Sequence, residues 1–293
     1  MRFLLFPILL AAASTAIYGA IALYVSSRQQ QMIFFPSPTI TQTPADFGAA
    51  YEEVWLSVRR GDRAERIHGW WIPVPPGQPQ RGVMLYLHGN GLNIGANADY
   101  AVRWQRLGLS VFLFDYRGYG QSEGAFPSEA AVYQDADAAW RYLTENRGIA
   151  PEDILIYGHS LGGAIAIDLA VRQSRAAGLI VESSFTSIRE MAHRTTPFGF
   201  LPIDQILTQR FDSIRKVSRL QVPVLYAHGA QDAQVPADMS EALYAATRSP
   251  KMLWISPTGG HAIGDVDGDG YGQAIREFLD LYFPVGAGSE VRR

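Results

Sequence analysis

Near the middle of the chain stands Gly158-His159-Ser160-Leu161-Gly162, a pentapeptide of the form G-x-S-x-G. The mainly apolar run at 153–157 before it predicts a short buried strand, and residues 163–170 after it, which are rich in small residues, predict a closely packed helix. A sharp turn between a strand and a helix is the context in which this pentapeptide exposes a reactive serine. We therefore predict that Ser160 is a nucleophile held in a strained turn at the edge of a sheet.

The composition of the 293 residues excludes several classes of protein. Cysteine is absent from the sequence, so no disulfide framework, thiolate metal site or cysteine nucleophile is possible. The formal net charge is -3 and no long basic run occurs, which argues against a nucleic-acid-binding surface. Hydrophobic residues make up 47% of the chain, enough for the core of one large α/β domain.

The N-terminal segment carries a second strong signal. No residue from Phe3 to Ser27 is charged, and a helix needs about 20 apolar residues to cross a bilayer. We predict a transmembrane anchor over residues 1–27, which would make this a single-pass membrane protein. A signal peptide cleaved near Ala11-Ala12-Ala13 is the alternative, but the apolar run continues to Val25. The charges at the two ends of the segment slightly favour a catalytic domain on the non-cytoplasmic side.

The rest of the chain has the pattern of one domain. Residues 28–42 predict a polar, proline-punctuated connector, residues 43–285 an α/β domain, and residues 286–293 a tail. Apolar runs alternate with helical patterns along the domain, which predicts a mostly parallel sheet with helices on both faces. The segment at about 183–220 is too long for a simple crossover. It either forms a short cap that roofs a pocket or packs as ordinary helices on the sheet.

A serine hydroxyl needs a base to become a nucleophile, and the base needs an orienting carboxylate. Asp232 and His261 each follow a predicted strand, so both would reach the sheet edge that carries Ser160. We predict that His261 takes the serine proton and that Asp232 orients His261. Glu182, at the end of a neighbouring strand, is the rival carboxylate.

Acyl transfer also needs hydrogen-bond donors for the negative charge that develops on the substrate oxygen. One donor is expected to be the backbone N–H of Leu161, directly after the nucleophile. The other is expected at Asn90, in the loop His88-Gly89-Asn90-Gly91 that follows the third strand. The remaining histidines lie in strand-end motifs or show no partner in the sequence, so none of them is assigned as a base.

One acidic stretch has part of a metal-binding pattern. Asp265-Val266-Asp267-Gly268-Asp269-Gly270 matches the first half of a calcium loop, but the twelfth position is Arg276 where glutamate is required. We expect an acidic surface loop, and we predict no metal and no cofactor. The pattern leaves open whether Asp265, Asp267 and Asp269 bind a cation.

In combination these motifs resemble the α/β-hydrolase superfamily over residues 30–285, since the chain presents in order the elbow, His88-Gly89-Asn90, Asp115-Tyr116-Arg117-Gly118, Asp232 and His261. In particular, the chain is similar to membrane-anchored serine hydrolases related to the prolyl-oligopeptidase and dienelactone-hydrolase branches. The resemblance implies a mostly parallel eight-stranded sheet with helices on both faces. It also implies that Arg117 is a buried pairing residue. Dehalogenase and epoxide-hydrolase relatives have aspartate at the elbow, so Ser160 argues against both.

The predicted function is hydrolysis of a small-molecule carboxylic ester or thioester through a Ser-His-Asp triad and an acyl-enzyme, with no nucleic-acid or protein partner. Two alternatives stay open. One is a peptidase or lipase of the same fold. The other is a non-catalytic binding module held at the membrane, because fold alone does not determine function.

Overall fold

A computed structural model describes residues 2–61, 63–263 and 270–285, with the backbone alone for residues 2–10 and 60. A sheet of eight strands forms its centre: β1 (Glu52–Arg60), β2 (Arg63–Ile72), β3 (Gly82–Leu87), β4 (Leu109–Phe114), β5 (Ile154–His159), β6 (Gly178–Glu182), β7 (Val224–Gly229) and β8 (Lys251–Ser256). The strands lie in the order β1-β2-β4-β3-β5-β6-β7-β8. Strand β2 is antiparallel to both of its neighbours, and the other pairs are parallel. The predicted mostly parallel eight-stranded sheet is confirmed.

Helices cover both faces of this sheet, as predicted. Within the described residues the α-helices are α1 (Arg2–Ile33), α2 (Ala98–Arg106), α3 (Glu129–Arg141), α4 (Leu161–Arg172), α5 (Ile188–Thr195), α6 (Ile203–Ile206), α7 (Asp238–Ala246) and α8 (Tyr271–Tyr282). Helices α3, α4 and α7 bury their apolar sides on one face, and α2 and α8 bury theirs on the other.

The central strands feed both cores because successive side chains point to opposite faces. On β5, Ile154 and Ile156 join the core beneath α3 and α4, whereas Leu155 and Tyr157 join the core beneath α2 and α8. A strand buried on both faces needs apolar residues at every position, which is why these strands read as continuous apolar runs.

The parallel strands bring the candidate site residues to one edge. The carboxyl ends of β3, β5, β6, β7 and β8 are followed or formed by Asn90, Ser160, Glu182, Asp232 and His261, respectively. Strands β3 and β5 are neighbours in the sheet although they are far apart in the chain. Their connections leave in different directions, and a crevice at such a point is where open α/β sheets bind ligands.

The N-terminal helix differs from the expected transmembrane anchor over residues 1–27. Helix α1 continues to Ile33, and Ile33 and Phe34 are buried in the core beneath α3 and α4. The side chains of residues 1–10 lie outside the described residues. Among the described residues no helix is both long and apolar enough to span a bilayer, so the predicted span is not supported.

Part of the expected connector belongs to the folded domain. Residues 28–33 are the end of α1, and Phe35–Pro36 pairs in parallel with Gly91–Leu92, next to the loop that carries Asn90. Ile33 and Phe34 therefore pack on the domain, whereas Met32 and Phe35 are exposed, and the polar composition around them conceals this packing.

The insertion at about 183–220 forms α5, α6 and two short 3-10 turns. Phe185 and Phe198 line a cavity above the sheet edge. Phe211 instead enters the core, with its ring centroid 6.1 Å from that of Phe34 and 5.6 Å from that of Tyr133. The insertion thus both walls a cavity and packs on the sheet, so each of the two expected roles describes part of it.

Candidate active site

The turn between β5 and α4 is strained. Ser160 adopts φ 55° and ψ -118°, in a region of backbone space that residues with a side chain rarely occupy. The neighbouring glycines make this turn possible. A Cβ atom on Gly158 would overlap the carbonyl oxygen of Gly162, and a Cβ atom on Gly162 would overlap the carbonyl oxygen of Leu87. The glycines of the G-x-S-x-G pattern are therefore required by the close approach of α4 to β5 and β3.

Two hydrogen bonds hold Ser160 in this conformation. Its backbone N–H donates to the carbonyl of Glu182 at 2.8 Å, and its own carbonyl accepts from the buried Ser184 hydroxyl at 2.8 Å. Strained backbone persists only where the surroundings over-determine it. The end of β6 and the loop after it supply that constraint.

His261 and Asp232 are brought together as predicted. The Nδ1 atom of His261 lies 2.7 Å from Oδ2 of Asp232, whose side chain is fully shielded from solvent. The other carboxylate oxygen accepts hydrogen bonds from the backbone N–H groups of Gln234 at 2.8 Å and Val235 at 2.9 Å. Since a carboxylate can only accept, His261 carries its proton on Nδ1 and keeps Nε2 as an acceptor.

The surroundings set the charge of this pair. Burial lowers the pKa of His261 below its ordinary value, the nearby His159 ring lowers it further, and the hydrogen bond to Asp232 partly opposes both effects. Burial alone would raise the pKa of Asp232. The hydrogen bonds from Val235, His261 and Gln234 outweigh burial and lower that pKa. At neutral pH the pair is a neutral imidazole beside a carboxylate, as a general base requires.

Ser160 and His261 line the same cavity. Among the hydrogen bonds of the described residues, none joins the Ser160 hydroxyl to the His261 imidazole. Bonds of this kind are often long before a substrate binds and shorten in the substrate complex. The structure thus brings Asp232 and His261 together and places Ser160 in the wall of a cavity that His261 also lines.

The side chain of Glu182, the rival carboxyl group, points to the face of the sheet that α2 and α8 cover. Its Oε2 atom accepts hydrogen bonds from the hydroxyls of Tyr100 at 2.9 Å, Tyr157 at 2.8 Å and Tyr271 at 2.8 Å. Burial and then the Glu182 charge raise the pKa of Tyr157 and Tyr271 well above its ordinary value, so both remain hydrogen-bond donors. Within the described chain Glu182 makes no hydrogen bond to His261, and it is therefore not the acid that orients this imidazole.

The two expected oxyanion donors lie beside the serine. Leu161 is the first residue of α4, so its backbone N–H has no acceptor within the helix. Asn90 and Leu161 line the same cavity as Ser160, and a Cβ atom on Gly89 would lie 3.7 Å from the Cβ of Ser160. The side-chain amide of Asn90 is engaged elsewhere, since its Nδ2 donates to the carbonyl of Ile33 at 2.9 Å. The backbone N–H of Asn90 is thus the candidate second donor.

Two further histidines support the loops of the acid and the base. Nε2 of His159 donates to the carbonyl of His261 at 3.1 Å. His228 is buried, and its Nε2 lies 2.9 Å from the carbonyl of Val235 and 3.2 Å from Oδ2 of Asp232. Both histidines make local hydrogen bonds, and neither replaces His261 as the candidate base.

Arg117, in the loop after β4, is a buried pairing residue, as the family resemblance implied. Its Nε lies 2.7 Å from Oδ1 of the buried Asp135, and its backbone N–H donates to Oδ2 of the same carboxylate at 2.9 Å. These contacts fix the loop to α3 and leave Arg117 outside the chemistry.

A cavity of about 290 Å³ opens beside these groups and is lined mostly by apolar side chains. Its lining consists of Val25, Ser26, Gln29, Met32, Ile33, Asn90, Ser160, Leu161, Phe185, Ile188, Met191, Ala192, Thr195, Thr196, Phe198, Ile203, Ile206, Leu207, Gln234, Val235 and His261. The volume is near the lower end of the range for small-molecule pockets.

The residues from α1 are the part of the lining that sequence reasoning missed. The sequence pattern predicts an anchor and a connector in this segment and therefore no contact with the α/β domain. The apolar residues at 32–35, placed inside a polar connector, were the available signal of such a contact.

The absence of a metal site stays a prediction from the sequence. Among the described residues no group of three or more acidic or histidine side chains could hold a metal ion. Asp265, Asp267 and Asp269 lie outside the described residues, so the calcium-loop pattern stays a matter of sequence alone.

Comparison with known proteins places the chain in a family. A family model described as "Serine aminopeptidase, S33" matches residues 78–215. The uncharacterized protein Rv2307c of Mycobacterium tuberculosis is 35% identical over 262 residues, which cover 89% of this chain and 90% of that protein. The α/β hydrolase domain-containing protein WAV2 of Arabidopsis thaliana is 30% identical over 290 residues and 92% of each chain. The chain belongs to the α/β-hydrolase superfamily.

A solved α/β structure agrees with this assignment. The esterase PF2001 of Pyrococcus furiosus matches the hydrolase with a TM-score of 0.68 at 18% identity, covering 86% of this chain and 98% of that one. At this identity the likeness shows the fold alone. The relation to the prolyl-oligopeptidase and dienelactone-hydrolase branches stays a prediction.

Proposed function

We propose that this α/β hydrolase is a serine esterase that cleaves carboxylic esters or thioesters. The observation that carries the proposal is the 2.7 Å hydrogen bond between His261 Nδ1 and Asp232 Oδ2, at the cavity that also exposes Ser160. This bond leaves Nε2 of a neutral imidazole as a proton acceptor. A strained serine that shares a cavity with such a base supports nucleophilic catalysis.

The first half-reaction forms an acyl-enzyme. Oγ of Ser160 attacks the substrate carbonyl carbon while Nε2 of His261 takes the hydroxyl proton. The backbone N–H groups of Leu161 and Asn90 donate to the oxyanion of the tetrahedral intermediate. When the intermediate collapses, the bond to the leaving group breaks and the departing alcohol or thiol takes the proton from Nε2.

The second half-reaction releases the acid. His261 takes a proton from a water molecule, whose oxygen attacks the acyl carbon. The bond between the acyl carbon and Ser160 then breaks, and Nε2 returns the proton to the serine oxygen. Throughout, Asp232 stabilises the imidazolium and keeps its Nδ1 proton in place. The reaction requires no cofactor.

The family description favours a second candidate, an aminopeptidase. A pair of substrates that differ only in one amino group separates the two activities: methyl butyrate and the methyl ester of 2-aminobutyrate, followed by acid release. An esterase with an apolar pocket is expected to prefer methyl butyrate by at least about tenfold in kcat/KM, because a desolvated ammonium group costs binding energy.

The control for this comparison is Ser160→Ala, which is expected to hydrolyse neither ester. A preference for the amino ester would replace the esterase with the peptidase. If the wild-type protein hydrolyses neither substrate nor an aminoacyl anilide, the binding module is the better account.

We also propose that α1 holds the domain against a lipid surface. Ile17, Leu23 and Tyr24 expose apolar side chains to solvent, and the exposed Phe200 of the insertion lies beside Tyr18 with ring centroids 6.2 Å apart. Apolar side chains on a helix surface bind the boundary of a bilayer.

Co-sedimentation with phosphatidylcholine vesicles tests this second proposal. The substitution Leu23→Glu is expected to weaken binding at least about tenfold, because it places a charge in the interface. Ser174→Glu, at an exposed position beyond α4, is the matched control and should bind like the wild type. Equal binding of both variants would contradict the proposal.

A further inference from the structure

We infer that the C-terminal part of α1 is one wall of the acyl-binding site, and that the acyl group of the substrate is an apolar chain longer than acetyl. In this inference the acyl chain of the substrate lies between α1 and the helices α5 and α6. This inference rests on the proposed esterase function and names the part of the substrate that the cavity holds.

The cavity is continuous from the catalytic groups to these helices. Ser160 and His261 line it together with Val25, Met32 and Ile33 of α1. The same cavity is lined by side chains of the insertion, which include Ile188, Met191, Phe198, Ile203 and Ile206. A substrate whose carbonyl carbon is bonded to Oγ of Ser160 therefore has apolar surface from both α1 and the insertion available to its acyl group, and burial of methylene groups there is favourable.

A buried amide fixes α1 to the opposite wall. Oε1 of Gln29 accepts from the backbone N–H groups of Thr208 at 2.8 Å and Gln209 at 3.1 Å. Its Nε2 donates to the carbonyls of Ser26 at 2.8 Å and Ile206 at 3.3 Å. Both ends of this side chain are thus fully used, which is the usual condition of a buried polar group. Helix α1 is a fixed part of the cavity in this structure.

The end of α1 also touches the oxyanion loop. The carbonyl of Ile33 accepts from Nδ2 of Asn90 at 2.9 Å, and the carbonyl of Asn90 accepts from the N–H of Phe35 at 2.8 Å and from the Tyr119 hydroxyl at 2.7 Å. The segment that forms the wall therefore continues directly into the segment that holds a candidate oxyanion donor. Helix α1 therefore contacts the loop of Asn90 as well as lining the apolar cavity.

Two adjacent serines on α1 allow a matched test. Ser26 lines the cavity, whereas Ser27 is exposed. The same substitution, serine to phenylalanine, fills the cavity at the first position and only adds surface at the second. Ala192 on α5 lines the opposite wall, so Ala192→Phe is a second filling variant if Ser26→Phe does not fold.

The experiment measures kcat/KM of the full-length protein for 4-nitrophenyl acetate and 4-nitrophenyl octanoate. The wild type is expected to prefer octanoate by at least about tenfold, since each buried methylene contributes up to about fourfold in binding. Ser26→Phe is expected to lower the value for octanoate at least about thirtyfold and that for acetate by less than about threefold. Ser27→Phe should leave both values within about twofold of the wild type.

The outcomes separate this inference from the proposed function. If the wild type hydrolyses acetate and octanoate equally well, or if Ser26→Phe and Ala192→Phe lower both values to the same extent, the acyl wall is wrong while the esterase stands. An effect of Ser27→Phe as large as that of Ser26→Phe would also overturn it. If the wild type hydrolyses no ester and a fluorophosphonate does not react with Ser160, the esterase itself fails and the acyl wall fails with it.

Discussion

Asp232 and Glu182 stand at the carboxyl ends of neighbouring strands, and both side chains are shielded from solvent. Asp232 contacts two backbone N–H groups and the imidazole of His261. Glu182 contacts the hydroxyls of three tyrosines. Only the first carboxylate has a partner that gains and loses a proton near neutral pH. A carboxyl group at the sheet edge is thus not by itself a candidate for the catalytic acid, because the partner of each carboxyl group sets its role.

The alternation of side chains along a strand explains the difference. On β6, Leu179 and Val181 join the core beneath α3 and α4, whereas Ile180 joins the core beneath α2 and α8. Glu182 is in phase with Ile180 and so enters the α2 and α8 side. Its backbone carbonyl still holds the N–H of Ser160. Glu182 thus supports the turn of Ser160 through the backbone, and its side chain ties α2 and α8 to the sheet.

The largest expected effect is the loss of catalytic activity caused by the substitution Asp232→Asn. The amide would keep the bonds from Gln234 and Val235 but would present a donor to His261, whose proton would move to Nε2. We expect kcat for ester hydrolysis to fall about 10⁴-fold, because the imidazole could no longer accept the serine proton. Steady-state kinetics and a circular dichroism spectrum measure the loss and check the fold.

Glu182→Gln is the matched control for this loss. It also turns a buried carboxyl group into an amide, yet kcat of the folded variant should fall less than about tenfold. Losses of equal size in the two variants would erase the distinction between the two carboxyl groups.

The second expected effect is on the stability of the fold, for which the Glu182 side chain is expected to matter more than it does for kcat. Glu182→Gln replaces an acceptor of three tyrosine hydroxyls, so we expect the free energy of unfolding to fall by about 1–3 kcal/mol. Tyr271→Phe removes a single donor and should cost less, about 1 kcal/mol. Denaturant unfolding of the two variants measures these losses. An unchanged midpoint for Glu182→Gln would show that the tyrosine cluster does not stabilise the fold.

The smallest effect is on the pH dependence of kcat/KM. Because the pKa of His261 is lowered, the neutral base persists to lower pH, and activity should be lost only as the pH falls through a value below about 6.5. His159 contributes to this lowering, so His159→Gln should move the acidic limb to higher pH. A pH profile of both proteins checks the direction. If the acidic limb of the wild-type profile gives a pKa above the ordinary histidine value, burial and His159 do not lower the pKa of His261 as described.

The fold and the candidate chemistry were largely readable from the sequence because they depend on local patterns. Apolar runs mark strands buried on both faces, and the glycines around Ser160 report steric contacts that no other residue could make. The order of serine, acid and base along the chain then predicted the pairing of Asp232 with His261, which the structure contains.

The role of α1 was not predictable in the same way. Its contacts with the domain are made between residues far apart in the chain, such as Gln29 with Thr208 and Ile33 with Asn90. An apolar helix gives no local sign of whether it faces lipid, a core or a cavity. The polar residues after Val25 concealed the packing of the helix end. The rejection of Glu182 likewise needed coordinates, because its tyrosine partners come from three separate elements.

The most direct test of the account is the reaction of the protein with a fluorophosphonate, followed by mass spectrometry of the labelled peptide. We expect one adduct on Ser160 in the wild type and in Ser174→Ala, no adduct in Ser160→Ala, and much slower labelling in Asp232→Asn. A folded wild-type protein that stays unlabelled, or that is labelled equally after Ser160→Ala, would contradict the claim that this cavity contains an activated serine.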